Sequence, residues 1–329
     1  MVECTLSTPS VPLVGHDPAW REWRAAMSSP RMHHAWLLTG LKGLGKGHFA
    51  RAAAAELVAE PGIPQPPPDL HPDILIPEHP PENKEEAKKR EDGADYRRKR
   101  AIPIEEIRTL IQRLHTRPTL GSRRAVIIDP ADHLERNAAN ALLKVLEEPP
   151  QGTFFLLVTH RPGRLLPTIR SRCRILRFAP LDTGAIDRIL ADCAPQANAE
   201  ARAAAVAAAE GSPGAALEFV EQDLGKLHKI MLRLIAEGDD LFALRGALAE
   251  EIGARPDRER QQAAVDLARA VVAAELGKGN TARNQQVIAV HGELVRLAGQ
   301  LPTYNFEPAL AIMEIGALLA SLAMPREVA

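Results

Sequence analysis

Apolar residues in the first 180 positions form short continuous runs that alternate with segments of helical spacing. Short apolar runs without alternation are typical of strands buried on both faces. In 104–115, by contrast, apolar residues recur every three or four positions and so share one helical face. Strands that alternate with helices predict a largely parallel α/β sheet. The predicted strands are 35–39, 124–129, 153–159 and 173–178, with a short one within 73–78, and the predicted helices are 17–28, 48–60, 104–115 and 138–147.

After Pro180 the strand pattern ends, and Ala- and Leu-rich segments with Gly and Pro breaks follow. Long helices with few aromatic residues bury surface best against other helices, so a helical bundle is expected here. We predict an α/β domain at 1–178, a small helical domain at 179–222 and a helical bundle at 223–329. The predicted helices are 183–193, 199–210, 215–236, 239–253, 257–276, 281–299 and 306–323.

One segment of the first domain differs in character from the rest. Residues 61–72 are rich in proline, and 79–100 are mostly charged with almost no large apolar side chains. Such a segment buries too little apolar surface to offset the entropy lost on ordering. We therefore expect a mobile insertion at about 79–100, a solvated loop rather than a binding arm.

A glycine-rich stretch follows the first predicted strand and precedes an Ala-rich helix. Strand, glycine loop and helix are the context of a phosphate-binding loop, G-x-x-x-x-G-K-[S/T], whose lysine neutralises phosphate charge and whose hydroxyl binds Mg²⁺. Gly40, Gly45 and Lys46 match this pattern. Gly47 stands at the hydroxyl position and offers no ligand. The alternative is a glycine turn that only joins strand to helix.

A second apolar strand, 124–128, ends in Asp129. In a nucleotide hydrolase such an Asp helps to hold Mg²⁺, and a following Glu polarises the attacking water. Pro130 stands in place of that Glu and can neither accept a proton nor orient water. Asp129 and Asp132 could form a paired carboxylate site, although each alone is more often a turn or cap residue. Two losses in one reaction predict that the chain does not hydrolyse nucleotide.

Composition narrows the class of protein. The chain has 329 residues, 45% hydrophobic and 25% charged, which suits a globular protein. Its apolar stretches are shorter than the roughly 18 residues of a membrane span, and its N-terminus lacks a secretory pattern, so we expect a cytoplasmic protein without membrane contact. Three distant cysteines exclude a disulfide framework and a four-cysteine zinc site. They are Cys4, Cys173 and Cys193.

The net charge of −1 hides an asymmetry, since 1–180 carry +6 and 181–329 carry −7. No acidic residue lies between Glu148 and Asp182. This window can form a basic patch that meets phosphate, or it can be a solvated strip of the surface. An aromatic content of 4% argues against a base-stacking surface. The arginines of the window are Arg161, Arg164, Arg170, Arg172, Arg174 and Arg177.

Taken together, these motifs resemble the bacterial clamp-loader AAA+ family. The specific parts are the run Leu-Leu-Lys-Val-Leu-Glu-Glu-Pro-Pro and the Ser-Arg-Cys triplet. The resemblance implies a RecA-like AAA+ α/β module, a small helical lid and an all-α collar domain. The helical tail matches only in length and character. The matching runs are His33–Gly40, Ile128–Asp132, Asn137–Pro150, Thr159, Ile169–Cys173 and Gly211–Leu217.

The resemblance also implies roles for individual residues. Arg172, between Ser171 and Cys173, matches the arginine finger that reaches the ATP of a neighbouring motor subunit. Thr159 matches the sensor-1 position, although a strand-end cap explains it equally well. Gly214 stands where motor subunits have the sensor-2 arginine. The zinc module of many relatives is missing, so no zinc is expected.

In this family, motor subunits and a delta subunit form a hetero-pentameric ring that places the sliding clamp on primed DNA. The resemblance therefore implies those partners for this chain, and membership of a DNA-directed DNA polymerase holoenzyme. No cofactor is expected to be required, while residual binding of ATP or ADP stays open. Two alternatives remain: an active motor ATPase, supported by Lys46 and Asp129, and a stand-alone nucleic-acid-binding protein, supported by the arginine run.

Overall fold

The computed structural model describes residues 14–99, 101–253, 256–300 and 308–323. Cys4, Arg100 and the first two residues of the predicted helix 306–323 lie outside this part. The chain divides into two compact units, Met1–Pro180 and Leu181–Ala329. The predicted boundary between 222 and 223 falls inside the second unit, and the three-domain division stays a prediction.

The first unit is built on a parallel sheet that has five strands in the described residues, in the order β2-β3-β4-β1-β5. The predicted strand positions are correct to within a residue or two. Thr39 lies opposite Thr159, and Ile128 lies opposite Leu157. The carboxyl ends of β1, β3 and β4 therefore meet at one edge of the sheet. The strands are β1 (Ala35–Thr39), β2 (Ile74–Leu75), β3 (Arg124–Ile128), β4 (Thr153–Thr159) and β5 (Arg174–Arg177).

Helices cover both faces of the central strands, which is why β1 and β4 consist almost entirely of buried apolar residues. The strand at one side of the sheet, β5, begins and ends with arginine and is exposed at three of its four positions. Trp36 and Leu38 of β1 point to one face and pack with α1 and α2, where Trp23 is fully buried. Ala35 and Leu37 point to the other face and pack with α4 and α5. The helices of the unit are α1 (Asp17–Met27), α2 (Lys46–Val58), α3 (Lys84–Glu91), α4 (Ile104–Leu114), α5 (Arg136–Glu147) and α6 (Pro167–Arg170).

The expectation of a solvated loop at 79–100 is wrong for its central part, which forms α3. Asn83 caps this helix by accepting a hydrogen bond from the backbone N–H of Glu86 at 2.9 Å. The Glu86 carboxylate is buried and accepts from the Arg97 N–H at 2.6 Å and from Lys89 Nζ at 2.7 Å. These polar contacts, rather than apolar burial, give the segment its structure, and so the hydrophobic pattern could not predict it.

The second unit is helical throughout its described residues. Asp182, Asn198 and Ser212 cap its first three helices by accepting a hydrogen bond from a backbone N–H three residues on. The predicted helix 215–236 is two helices, separated at Asp223, whose φ is +47°. The helices are α7 (Thr183–Cys193), α8 (Ala199–Ala208), α9 (Pro213–Glu221), α10 (Gly225–Glu237), α11 (Ala243–Ile252), α12 (Arg258–Ala273), α13 (Thr281–Gln300) and α14 (Pro308–Ala320).

None of the helices in the described ranges is both long and apolar enough to cross a membrane.

Candidate nucleotide site and arginine finger

The glycine-rich loop joins β1 to α2, as the sequence pattern predicts. Gly45 precedes α2 with a φ of +78°, a left-handed conformation that favours glycine. Gly40 leaves β1 beside the end of β5, where an added Cβ would come within 2.6 Å of the Phe178 carbonyl oxygen. Both glycines are therefore required by the path of the backbone, whether or not the loop binds phosphate.

Lys46 begins α2, and its ammonium group is turned into the loop. Its Nζ donates hydrogen bonds to the carbonyl oxygens of Gly40 at 2.8 Å and Leu41 at 2.5 Å, and the residue is only 2% exposed. Burial lowers the pKa of Lys46 to about 8, although the carboxylates of Asp129 and Asp132 oppose this shift. The charge that would neutralise phosphate is thus satisfied by carbonyl groups of the chain's own loop.

Asp129 follows β3 and lies directly against the start of α2. A Cβ atom built on Gly47 would overlap its carboxylate, so a side chain at position 47 requires the Asp129 carboxylate to move. Arg51 Nη1 lies 3.5 Å from Asp129 Oδ2 and donates to the Gly47 carbonyl oxygen at 3.3 Å. Arg51 Nε also donates to Asp69 at 2.9 Å. A guanidinium group, held between two carboxylates, therefore stands beside the Asp that would hold Mg²⁺.

Thr159 ends β4 and is fully buried. Its hydroxyl donates to the Asp132 carboxylate, which also accepts from the backbone N–H groups of His160 at 2.7 Å and Arg161 at 3.1 Å. Asp132 is thereby committed to fixing the end of β4. In the described part of the chain, no group of three or more His, Cys, Asp or Glu is placed to hold a metal ion.

His160 completes the polar cluster at this edge of the sheet. Burial lowers the pKa of His160 to about 4, and the nearby ammonium groups of Lys46 and Lys42 add to the shift. Its buried Nδ1 has no hydrogen-bond partner among the described residues. His160 is therefore a neutral imidazole at pH 7.

Arg172 lies between α6 and β5, at the opposite edge of the sheet. Since β5 runs parallel to β1, residues that precede β5 lie far along the strand direction from the loop that follows β1. Arg172 Nη2 donates to the Glu147 carboxylate, and Nη1 donates to the Thr168 carbonyl oxygen at 2.8 Å. The structure therefore does not bring Arg172 together with Lys46.

The two neighbours of Arg172 in the triplet serve the local structure. Ser171 Oγ donates to the Thr168 carbonyl oxygen at 3.1 Å and so closes the end of α6. Cys173 packs against the core beneath α5 and α6, and this burial raises the pKa of its thiol to about 12. The Cys173 thiol is consequently not ionised at pH 7.

Three residues of these sites make contacts that the sequence alone does not reveal. Arg51 meets Asp129 only because α2 packs beside the end of β3, 78 positions away. His160 becomes part of the cluster because it follows Thr159 at the sheet edge. Glu147 belongs to a motif that the resemblance had marked, but only the fold shows that it contacts Arg172.

A parallel sheet flanked by helices, with a glycine loop, an Asp-ended strand and a polar strand end meeting at one edge, defines a RecA-like AAA+ module. This module is followed by an all-helical region, and the predicted fold class is confirmed. A solved structure of a DNA polymerase III gamma subunit-related protein from Thermotoga maritima shares this fold. Its TM-score is 0.50 at 20% sequence identity, over 93% of this chain and 99% of that chain.

Residues 15–182 match the protein family described as "DNA polymerase III, delta subunit", and the chain belongs to that family. It is 34% identical over 212 residues to the DNA polymerase III subunit delta' of Pseudomonas aeruginosa, covering 59% of this chain and 58% of that protein. It is 29% identical over 251 residues to the subunit delta' of Escherichia coli K12, covering 71% and 69%. The resemblance to the clamp-loader AAA+ family is thus confirmed, and the relatives make the chain delta-prime-like.

Proposed function

We propose that this chain is a delta-prime-like subunit of the DNA polymerase III clamp loader and takes part in ATP-dependent loading of the sliding clamp. Relatives named delta' support this, as does the tau subunit of Escherichia coli, which is 32% identical over 170 residues. The proposed partners are the motor subunits and the delta subunit of a hetero-pentameric ring. The sliding clamp and primed DNA are engaged through that complex.

We further propose that the chain does not hydrolyse ATP itself. The observation that carries this proposal is the arrangement around Asp129. Position 47, where a Mg²⁺ ligand is expected, is a glycine. The Asp129 carboxylate lies against this glycine, and Arg51 supplies a positive charge beside that carboxylate. These residues do not fit a nucleotide-bound Mg²⁺ ion. Pro130 follows Asp129, and its ring has no polar group that could orient a water molecule.

Arg172 is proposed to act on a neighbouring subunit as an arginine finger. Arg172 precedes the amino-terminal end of β5, whereas the glycine loop follows the carboxyl end of the parallel strand β1. This separation supports a role on the nucleotide of another subunit rather than at the chain's own loop. Guanidinium groups that stabilise a transferring phosphoryl group in this way accelerate hydrolysis strongly. The chain would then not hydrolyse ATP at its own site, but it would be required for ATP hydrolysis at the site of the neighbouring subunit.

The experiment is ATP hydrolysis by the purified chain, with Lys46→Ala as the matched variant. The proposal predicts background turnover for both proteins. Robust turnover that Lys46→Ala abolishes would instead establish the active motor. A titration with fluorescent ATP, read by anisotropy, tests residual nucleotide binding separately, and metal analysis of the same sample tests the expected lack of zinc.

A further inference from the structure

Arg172 is held against its own chain by three acceptors. The guanidinium group donates to the Glu147 carboxylate through Nη2, and through Nη1 to the Thr168 carbonyl oxygen at 2.8 Å and Ser171 Oγ at 3.4 Å. The Arg172 side chain is 32% exposed in this position. An arginine finger must present its N–H donors to the phosphate of a neighbour. Nη1 thus has two acceptors within the chain and Nη2 has one, so three of the five N–H donors point to the chain itself.

Glu147 lies at a position where a nearby cation stabilises its carboxylate. Glu147 is the last residue of α5, where unpaired carbonyl groups make a carboxylate unfavourable. The residues on either side of the contact are fixed, since Leu146 and Ile169 are buried in the same core. The pair is therefore set by two anchored backbone segments, and its formation orders only two side chains.

The pairing is selective among the arginines of this region. In the described residues, only two of the six arginines between 161 and 177 lie within 4.0 Å of a carboxylate, namely Arg172 with Glu147 and Arg174 with Glu22. The adjacent Glu148 is exposed and forms no ion pair in the described part. Of the two neighbouring carboxylates, one alone engages the proposed finger.

We propose that Glu147 is a positioning residue that withdraws Arg172 until the phosphates of a neighbouring nucleotide compete for the guanidinium group. This inference rests on the proposed arginine-finger role of Arg172. Phosphate oxygens offer guanidinium the same paired geometry as a carboxylate and carry more charge, so they displace Glu147 once they are within reach. The pair is partly exposed, and pairs of this kind shift a population by about two- to fivefold at moderate salt. Glu147 thus suppresses engagement without preventing it.

The test uses the reconstituted clamp-loader complex with Glu147→Gln, and Glu148→Gln as the matched control. Basal ATP hydrolysis without DNA, at ATP below KM, should rise about two- to fivefold in Glu147→Gln and stay at the wild-type rate in Glu148→Gln. The ratio of variant to wild type should approach one as salt is raised, because the pair is electrostatic. A lower or unchanged basal rate in Glu147→Gln overturns the inference.

Two further measurements separate this inference from the proposed function. The double variant Glu147→Gln/Arg172→Ala must behave like Arg172→Ala alone, since Glu147 acts only through Arg172. If Arg172→Ala itself leaves turnover unchanged, the proposed function fails and this inference falls with it. A normal loss in Arg172→Ala with no gain in Glu147→Gln overturns the positioning role alone.

A readout on the isolated chain does not depend on hydrolysis or assembly. Modification by a dicarbonyl reagent, followed by mass spectrometry, measures how accessible each guanidinium group is. Arg170 is exposed, has no carboxylate within 4.0 Å in the described residues and serves as the internal standard. The rate at Arg172 relative to Arg170 should increase in Glu147→Gln. An unchanged ratio overturns the proposed withdrawal.

Discussion

The buried ammonium group of Lys46 makes the stability of the first unit depend on pH. The pKa of Lys46 is lowered from 10.5 to about 8, so the unfolded chain binds more protons than the folded chain between these values. Stability therefore rises as pH increases through 8, and the full cost of the buried charge is present below it. The residue is 2% exposed, and the lowering corresponds to about 3 kcal/mol at pH 7.

The perturbation is Lys46→Met, which keeps the length of the side chain and removes the charge. From the two pKa values, the wild-type chain should recover about 1 kcal/mol of this cost between pH 7 and pH 9. The stability of Lys46→Met should not rise in this way. The difference in free energy of unfolding between the wild type and Lys46→Met should therefore change by about 1 kcal/mol between pH 7 and pH 9. Groups that do not interact with Lys46 cancel in this difference, including the Cys173 thiol, whose pKa is raised to about 12. His160, which does interact with Lys46, has a pKa of about 4, well below this pH range.

Urea unfolding followed by tryptophan fluorescence is the assay. All three tryptophans lie in the first unit, at positions 20, 23 and 36, and Trp23 and Trp36 are fully buried. The signal therefore reports this unit and not the helical second unit. Lys144→Met, an exposed lysine of α5, is the control and should keep the wild-type profile. Parallel profiles for wild type and Lys46→Met would refute the inference that Lys46 is buried and charged in the absence of nucleotide.

Further predictions concern the rest of the site and the basic window. Asp132→Asn replaces an acceptor of two backbone N–H groups and should destabilise the first unit by about 2 kcal/mol in the same urea assay. Replacement of the exposed Asp92 by Asn is the control and should leave the stability unchanged. An unchanged unfolding midpoint in Asp132→Asn contradicts the prediction. Gly47→Ser restores the hydroxyl but should leave the purified chain without ATP hydrolysis, because the added atoms overlap Asp129 and Pro130 remains; measurable turnover contradicts this. The isolated chain should bind duplex DNA weakly at moderate salt, and tight binding with a steep salt dependence would favour the nucleic-acid-binding alternative.

The strands and the nucleotide loop could be predicted because their signals are local. Runs such as 153–159 are apolar throughout, and the glycines at 40 and 45 are fixed by the backbone path between β1 and α2. The losses at positions 47 and 130 were also visible in the sequence. The sequence does not show which groups take the place of the missing hydroxyl and the missing acid. The contact between Arg51 and Asp129, for example, depends on packing between distant segments.

A buried polar contact explains one place where the predicted elements were wrong, and a backbone conformation explains another. Helix α3 is stabilised by the buried carboxylate of Glu86. The pattern of hydrophobic residues does not report contacts of buried charged groups, so it could not predict this helix. The break between α9 and α10 lies at Asp223, which adopts a left-handed conformation without being glycine. Glu221, Gln222 and Leu224 beside it have good helix propensity, and so the sequence favours one continuous helix there.

The proposed role of the chain is tested most directly by Arg172→Ala in the reconstituted complex. Assembly is measured by size-exclusion chromatography, and DNA-stimulated ATP hydrolysis by phosphate release. We predict normal assembly with hydrolysis reduced at least about tenfold, as expected for loss of an arginine finger. Arg164→Ala, an exposed arginine of the same window, should leave hydrolysis unchanged. Wild-type turnover in a fully assembled Arg172→Ala complex would contradict the proposal.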